Sequence, residues 1–398
     1  MVLGADAIPM NIYLDYQSAK PVDPRVFEVM APYFHDQFGN PSSLHRTGDQ
    51  ATRILNQCRQ TIADFIHAKA DEIIFTSGAT EANNQALIGF ATRNRNKGNH
   101  IIISEIEHIS IHNVSKYLER SGFIVSKVPV DQYGRISIEK LQERITDQTI
   151  LISIGYANNE IGSIQPISQI GELCSRKNIA FHTDAVAAEG LLPLDVNRDH
   201  IDLMSLSSND IYGPRGMGIL FKRKGVRLNP LIIGGGQESG LRSGSENIPA
   251  IVGMAKAVKI MLSEMPRERK KLESFRDKLI GGVLNTIPQS YLNGHPVDRL
   301  PNNAHFRFEG IEGESLLLAL KDLGIDVATG SACSSKTLEP SHTLISLGLL
   351  HEEAHGSLEL TCGRFNQEED IDSLLHELPG VVRKLRELSP LYQQEELS

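Results

Sequence analysis

From about residue 50 to 265, short β-branched apolar runs that break into polar turns alternate with stretches of helical periodicity. "EIIFTSGATEANNQALIGFATRN" predicts a strand, a tight turn and a helix, and "HIIISEIEHISIHNVSKYLERSG" repeats that plan. "TILISIGYANNEIG" and "IAFHTDAVAAEG" predict further strands that open into polar loops, and "DLMSLSSNDIYGPRGMGILFKR" two strands joined by a Gly-rich turn. This alternation specifies an α/β fold with a mainly parallel sheet covered by helices. In such sheets binding residues gather beyond the carboxyl ends of the strands. Thr76–Thr80, His108, Asn159, Asp184 and Ser207–Asp210 all follow apolar strands and are expected to converge on one site.

The texture changes near Glu264. "RERKKLESFRDKLIGGVLNTI" has the pattern of a charged amphipathic helix. The segments after it, "HFRFEG", "GESLLLALKDLGIDVATGSACSS" and "GSLELTCGRFNQEEDIDSLLHELPGVVRKL", predict a smaller α+β part. The expected division is a large domain over 16–263 and a small one made of 1–15 plus 264–398.

Composition narrows the function classes. The 398 residues suffice for two domains. A net charge of −9 argues against a general nucleic-acid binder, which needs clustered Lys and Arg. No run of apolar residues is long enough to span a bilayer, and the start "MVLGADAIPMNIYLDY" lacks the basic and apolar regions of a signal peptide. The four cysteines, Cys58, Cys174, Cys333 and Cys362, form no CxxC pair. Scattered cysteines of this kind suit a reducing compartment, and the expected location is the cytoplasm.

Several stretches carry candidate chemistry. "TSGATEANN" sets Ser77, Gly78, Ala79 and Thr80 between strand and helix, where backbone N–H groups attract a phosphate or simply cap the helix. It has no P-loop lysine. "HEEAH", His351 to His355, has zincin spacing, but Gly356 follows at once, which favours a helix end over a zinc site. His108 and His112 also stand four apart. "IGGGQESGLRSGSEN" reads as a linker, or as a mobile anion-binding flap with Arg242 and Ser245. Cys333, in the small-residue loop "TGSACSSKTLEPSH", is either apolar filler or a thiol able to reach out and react.

Taken together and in order, "YLDYQSAKPVDPRV", "FGNPSSLH", "TSGATEANN", "EHIS", "ANNEIGSIQPI", "HTDAV", "DLMSLSSNDIYGPRGMG", "GGGQESGLRSGSEN", "GSACSS" and "GRFNQEEDID" resemble the NifS/IscS cysteine desulfurases, pyridoxal-phosphate enzymes of fold type I. Archaeal IscS-like members that also carry Asp in the lysine's place share this feature. The resemblance implies a homodimer that binds pyridoxal 5'-phosphate, takes sulfur from L-cysteine as a persulfide on a loop cysteine and passes it to an IscU-type scaffold. Carried over by position, Thr80 and Ser207 would hold the phosphate, with Ser245 reaching in from the partner subunit. His108 would stack on the pyridine ring, Asp184 pair with its nitrogen and Asn159 bind the ring hydroxyl or substrate. Arg364 would clamp the substrate carboxylate, and Cys333 would carry the persulfide.

The chain also departs from that pattern. Where the family reads Ser-Gly-His-Lys, it reads Ser207-Ser208-Asn209-Asp210, so the residue that should form the imine is a carboxylate. Asp210 retains only the possibility of acting as a base. The phosphate-side His is Asn209 and the ring-hydroxyl Gln is Ala187. Lys20 is gained in "SAKP", and an ion pair between Lys20 and Asp210 is expected; an imine on Lys20 itself is the alternative. Two functions follow. The first is an IscS-like partner in iron–sulfur assembly that docks an IscU-type scaffold, in a heterotetramer, and offers Cys333 as sulfur carrier or as ligand of a shared [2Fe-2S] cluster. The second is an active desulfurase holding pyridoxal phosphate noncovalently.

Overall fold

The computed structural model describes residues 12–330 and 340–389, together with Tyr392. Its centre is a seven-stranded sheet. In spatial order the strands are Ile73–Thr76, Gly218–Lys222, Leu203–Ser207, Ala180–Asp184, Thr149–Ser153, His100–Ser104 and Ile124–Val128. Gly218–Lys222 runs antiparallel to both its neighbours, and every other pairing is parallel. His100–Ser104 and Thr149–Ser153 are buried along their whole length, which is why they read as unbroken Ile- and Leu-rich runs. Helix Ile109–Arg120 buries an apolar stripe of Ile111, Val114 and Leu118.

The mainly parallel α/β sheet matches expectation, and its topology fixes where chemistry can occur. Thr76, Ser104, Ser153, Asp184 and Ser207 end their strands at one edge. Gly218 starts the antiparallel strand there, paired with both Thr76 and Ser207. A side chain at Gly218 would collide with the backbone of Gly78 at 2.7 Å, so glycine lets the two turns approach. Gly78 itself has φ +149, a conformation open to glycine, and a Cβ added to it would point into empty space.

The later part of the chain adds a three-stranded antiparallel sheet of Ser290–Asn293, Asn303–Phe308 and Ser357–Thr361. The first described strand, Ile12–Tyr13, pairs in parallel with Ile325–Asp326, which returns the N-terminal segment to the later part. Helix Ile248–Thr286 joins the two regions, packing on both Arg46–Phe65 and Glu368–Leu388. The expected division at 263/264 therefore falls inside one continuous helix. Among the described residues no helix is long and apolar enough to cross a membrane.

Candidate functional site

A cavity of about 560 Å³ opens at the carboxyl edge of the large sheet. Ser77–Glu81, Ser104, Ile106, Glu107, His108, Gly155, Ala157, Asn158, Asn159, Asp184, Val186, Ala187, Ser207, Asn209 and Asp210 line it, joined by Gln17, Ser18, Gln165, Ala328, Thr329 and Glu359. The structure thus brings Thr80, His108, Asn159, Asp184, Ser207 and Asp210 together from five separate strand exits. That convergence is the consequence of parallel strands ending at one edge.

One side of the cavity is a hydrogen-bond chain centred on Asn83, whose Oδ1 has no partner. Asn83, fully buried, donates through Nδ2 to Asp184 Oδ2 at 2.7 Å and to Ser110 Oγ at 2.9 Å. His108 Nδ1 lies 2.8 Å from that hydroxyl and accepts the Ser110 N–H at 3.2 Å, capping helix Ile109–Arg120. A neutral His108 ring with Nδ1 accepting carries its proton on Nε2. The second Asp184 oxygen accepts the Val186 N–H at 3.1 Å. Below this chain, Glu107 Oε1 accepts the Gly155 N–H at 2.9 Å, and burial pushes its carboxyl up to about 7.

The opposite side is a knot of buried charge. Lys20 Nζ donates to the backbone carbonyl of Asp210 at 2.6 Å. This corrects the expected ion pair: the Asp210 carboxylate is held instead by the side chains of Ser207 and Asn209, so the ammonium reaches the carbonyl and acts on the carboxylate only through space. Burial raises the Asp210 carboxyl while Lys20 pulls it back down. Burial likewise lowers the Lys20 amine, against the pull of Asp210 and Glu189. Glu189, only 1% exposed, accepts the Ser207 N–H on Oε1 at 2.7 Å and has no partner for Oε2. Burial, then Asp210, push its carboxyl well above the ordinary range.

Other candidates stand elsewhere. The Arg364 guanidinium lies outside the cavity lining, bonded to Asp23 Oδ2 at 2.6 Å and to Glu268, and stacked 4.5 Å from the Tyr212 ring centre. Ser245 is exposed and also outside the lining. Arg242 pairs with Glu81 at 2.9 Å. His112 is buried against His342 and donates its Nε2–H to the Glu105 carbonyl at 3.1 Å, and burial lowers it to about 4. Helix His351–His355 stops at Gly356 before strand Ser357–Thr361, and no cluster suited to a metal ion is found among the described residues. Cys333 lies outside the described residues.

The family model for aminotransferase class-V matches residues 12–374. The chain belongs to the class-V aminotransferase family. It is 54% identical to cysteine desulfurase IscS 1 of Archaeoglobus fulgidus, over 96% of this chain and 100% of that one. It is 49% identical to the cysteine desulfurase IscS of Clostridium botulinum, over 96% and 97% of the two chains. Among solved structures, a NifS-like protein superposes with a TM-score of 0.88 at 35% identity, covering 94% of this chain and all of that one.

Class-V aminotransferases work with pyridoxal phosphate, and the donor set here fits that group held without a covalent link. The open Gly78 turn and Thr80 face the cavity where a phosphate would bind, and Asp184 and His108 offer an anion and a ring for a pyridinium. Bound there, the cofactor would supply an electron sink to an amino-acid substrate. Among the described residues no lysine lines the cavity. Three residues of this aminotransferase site escaped the sequence reading: Asn83, Glu107 and Glu189. Glu189 did leave a signal, as a lone acid inside the apolar run "AVAAEGLLPL".

Proposed function

We propose that this chain is an IscS-like protein of iron–sulfur cluster assembly whose cofactor pocket is kept but whose covalent-anchor position holds Asp210, which cannot form that link. It works in the cytoplasm as a homodimer and docks an IscU-type scaffold, with Cys333 delivering sulfur or lending its thiolate to a shared [2Fe-2S] cluster. One observation carries this reading. Asp210 stands on the strand turn at the cavity wall, held by Ser207 and Asn209, and a carboxylate there forms no imine. Ordinary desulfurase turnover is then weak or absent; free sulfide enters the cluster directly with the Cys333 thiolate as ligand, and the carrier role requires a donor whose sulfur is already at the persulfide level. Cluster formation on a scaffold from ferrous iron and sulfide tests it. Addition of this chain should raise the yield of bound cluster, and Cys333→Ser should abolish that gain. Equal yields with and without the chain, or an unimpaired Cys333→Ser variant, would sink the reading.

The Asp184–Asn83–Ser110–His108 chain supports a second reading, an active cysteine desulfurase with noncovalent pyridoxal phosphate and Asp210 as base. Under this reading Asp184 would keep the ring nitrogen charged, Thr80 and Ser207 would hold the phosphate with Ser245 from the partner subunit, and Asn159 would meet the ring hydroxyl. Alanine released from L-cysteine in the presence of added cofactor separates the two.

A further inference from the structure

Among the described residues, Lys20 is the amine that the fold carries to the anchor side of the cavity. Its segment is pinned at both ends. The Tyr13 hydroxyl donates to the Ala19 carbonyl at 3.1 Å, and the Asp23 N–H donates to the Tyr212 carbonyl at 3.0 Å. Gln17 and Ser18, just before it, line the cavity, and so does Asp210, whose carbonyl takes the Lys20 hydrogen bond. The amino group is nearly buried, 5.6 Å from the Tyr212 ring centre, with three carboxyl groups, Asp210, Glu189 and Glu268, acting on it against Arg364.

We propose that Lys20 captures the aldehyde of a pyridoxal-type ligand, so that the covalent link denied to position 210 forms from the N-terminal segment. This rests on the reading that the cavity admits such a ligand. The step balances without an oxidant or reductant. The ammonium gives a proton to a neighbouring carboxylate, the neutral nitrogen adds to the carbonyl carbon, and the carbonyl oxygen leaves as water as the C=N bond forms. A desolvated lysine is suited to this, since burial favours its neutral form. The hydrogen bond to the Asp210 carbonyl is given up, and four side-chain torsions allow the amine to swing toward the cavity that Ser18 and Asp210 share.

The test uses the full-length protein with pyridoxal phosphate. Retained cofactor is measured first, by dialysis and fluorescence. Borohydride reduction, digestion and mass spectrometry then locate any pyridoxyl group. The expected result is stoichiometric label on the peptide containing Lys20 and none there in Lys20→Arg, which keeps the charge. Retained cofactor with no label on Lys20, or label spread over exposed lysines, overturns the inference and leaves the noncovalent reading standing. Loss of all cofactor on dialysis before reduction, with no label, overturns both.

Discussion

The two sides of the cavity are built on different terms. On the Asp184 side the groups are joined by hydrogen bonds of ordinary length, Asn83 serving Asp184 and Ser110 and Ser110 serving His108, and the unpartnered atom is the neutral Asn83 Oδ1. On the Asp210 side one buried ammonium faces two buried acids, Oε2 of Glu189 is without a partner, and the ammonium bonds to a carbonyl. Connected hydrogen bonds hold a geometry ready for a ligand, whereas uncompensated buried charge costs stability. On the proposed reading, ring recognition and covalent anchoring are separable parts of this fold, the first kept and the second replaced by an ionic plug.

The largest effect should come from restoring an amine to the replaced side. Asp210→Lys puts a nitrogen on the turn beside Ser207, with Glu189 left to balance it and Lys20. The purified variant is expected to gain a yellow imine band that borohydride bleaches, with the pyridoxyl group on residue 210. A colourless variant would mean that the Asp184 side is not competent by itself, and that Asn209 and Ala187, both in the cavity wall, matter as much.

Removing the plug's cation tests the same side from the energetic direction. Lys20→Met deletes the ammonium that acts on both Asp210 and Glu189. Stranding a buried charge in this way costs about 3–5 kcal/mol. Denaturant unfolding should show that loss, and adding Glu189→Gln or Asp210→Asn should return part of it, as coupled sites do. A Lys20→Met protein as stable as the parent would show that both acids are already neutral and that no plug exists.

The two sides also differ in how far the sequence disclosed them. Strand exits are legible because buried parallel strands read as apolar runs and their polar successors must sit at one edge. That placed Thr80, His108, Asn159, Asp184, Ser207 and Asp210 correctly at one cavity. Asn83 was hidden because a helical Asn shows no partner until the helix is docked on Asp184. Glu189 was visible as an acid in an apolar run, but only the fold shows that Lys20, far away in sequence, shares its surroundings. The Lys20 contact was misjudged for a related reason: pairing by charge predicts a carboxylate, while local donors from Ser207 and Asn209 had already claimed it. The position of Arg364 depended on Asp23 and Glu268, contacts with no local signature.

Acidity sharpens the comparison at a smaller scale. Glu107 sits under the Asp184 side with its carboxyl raised from 4.5 to about 7 by burial. The folded state therefore holds a proton that the unfolded chain has already lost between those two values. Its contribution to stability is complete below the unfolded pKa and is lost as pH rises through about 7. Glu107→Gln removes that dependence. The stability of the variant relative to the parent should rise between pH 5 and pH 8 by roughly 2–3 kcal/mol. Subtracting one protein from the other cancels the opposing contribution of buried histidines such as His112, lowered to about 4. A difference independent of pH would place Glu107 as an ordinary ionised carboxylate.

The smallest and most discriminating effect belongs to Asn83. Its amide is the single link between Asp184 and the Ser110–His108 pair, so Asn83→Ala leaves both cavity groups in place but frees each from the other. Losing hydrogen bonds to a charged partner costs about 1.5–3 kcal/mol, against less than that for a neutral one. Noncovalent retention of pyridoxal phosphate, read by fluorescence titration, should weaken by about 10- to 100-fold, since each 1.4 kcal/mol is tenfold in affinity. Asn83→Asp should be worse than Asn83→Ala, because it sets a second carboxylate 2.7 Å from Asp184 where a donor stood. The same two substitutions should leave the Lys20–Asp210 contact unaltered, as no bond joins Asn83 to it. If both variants bind cofactor as the parent does, the hydrogen-bond chain is only packing, and the division of the cavity into a kept side and a replaced side loses its foundation.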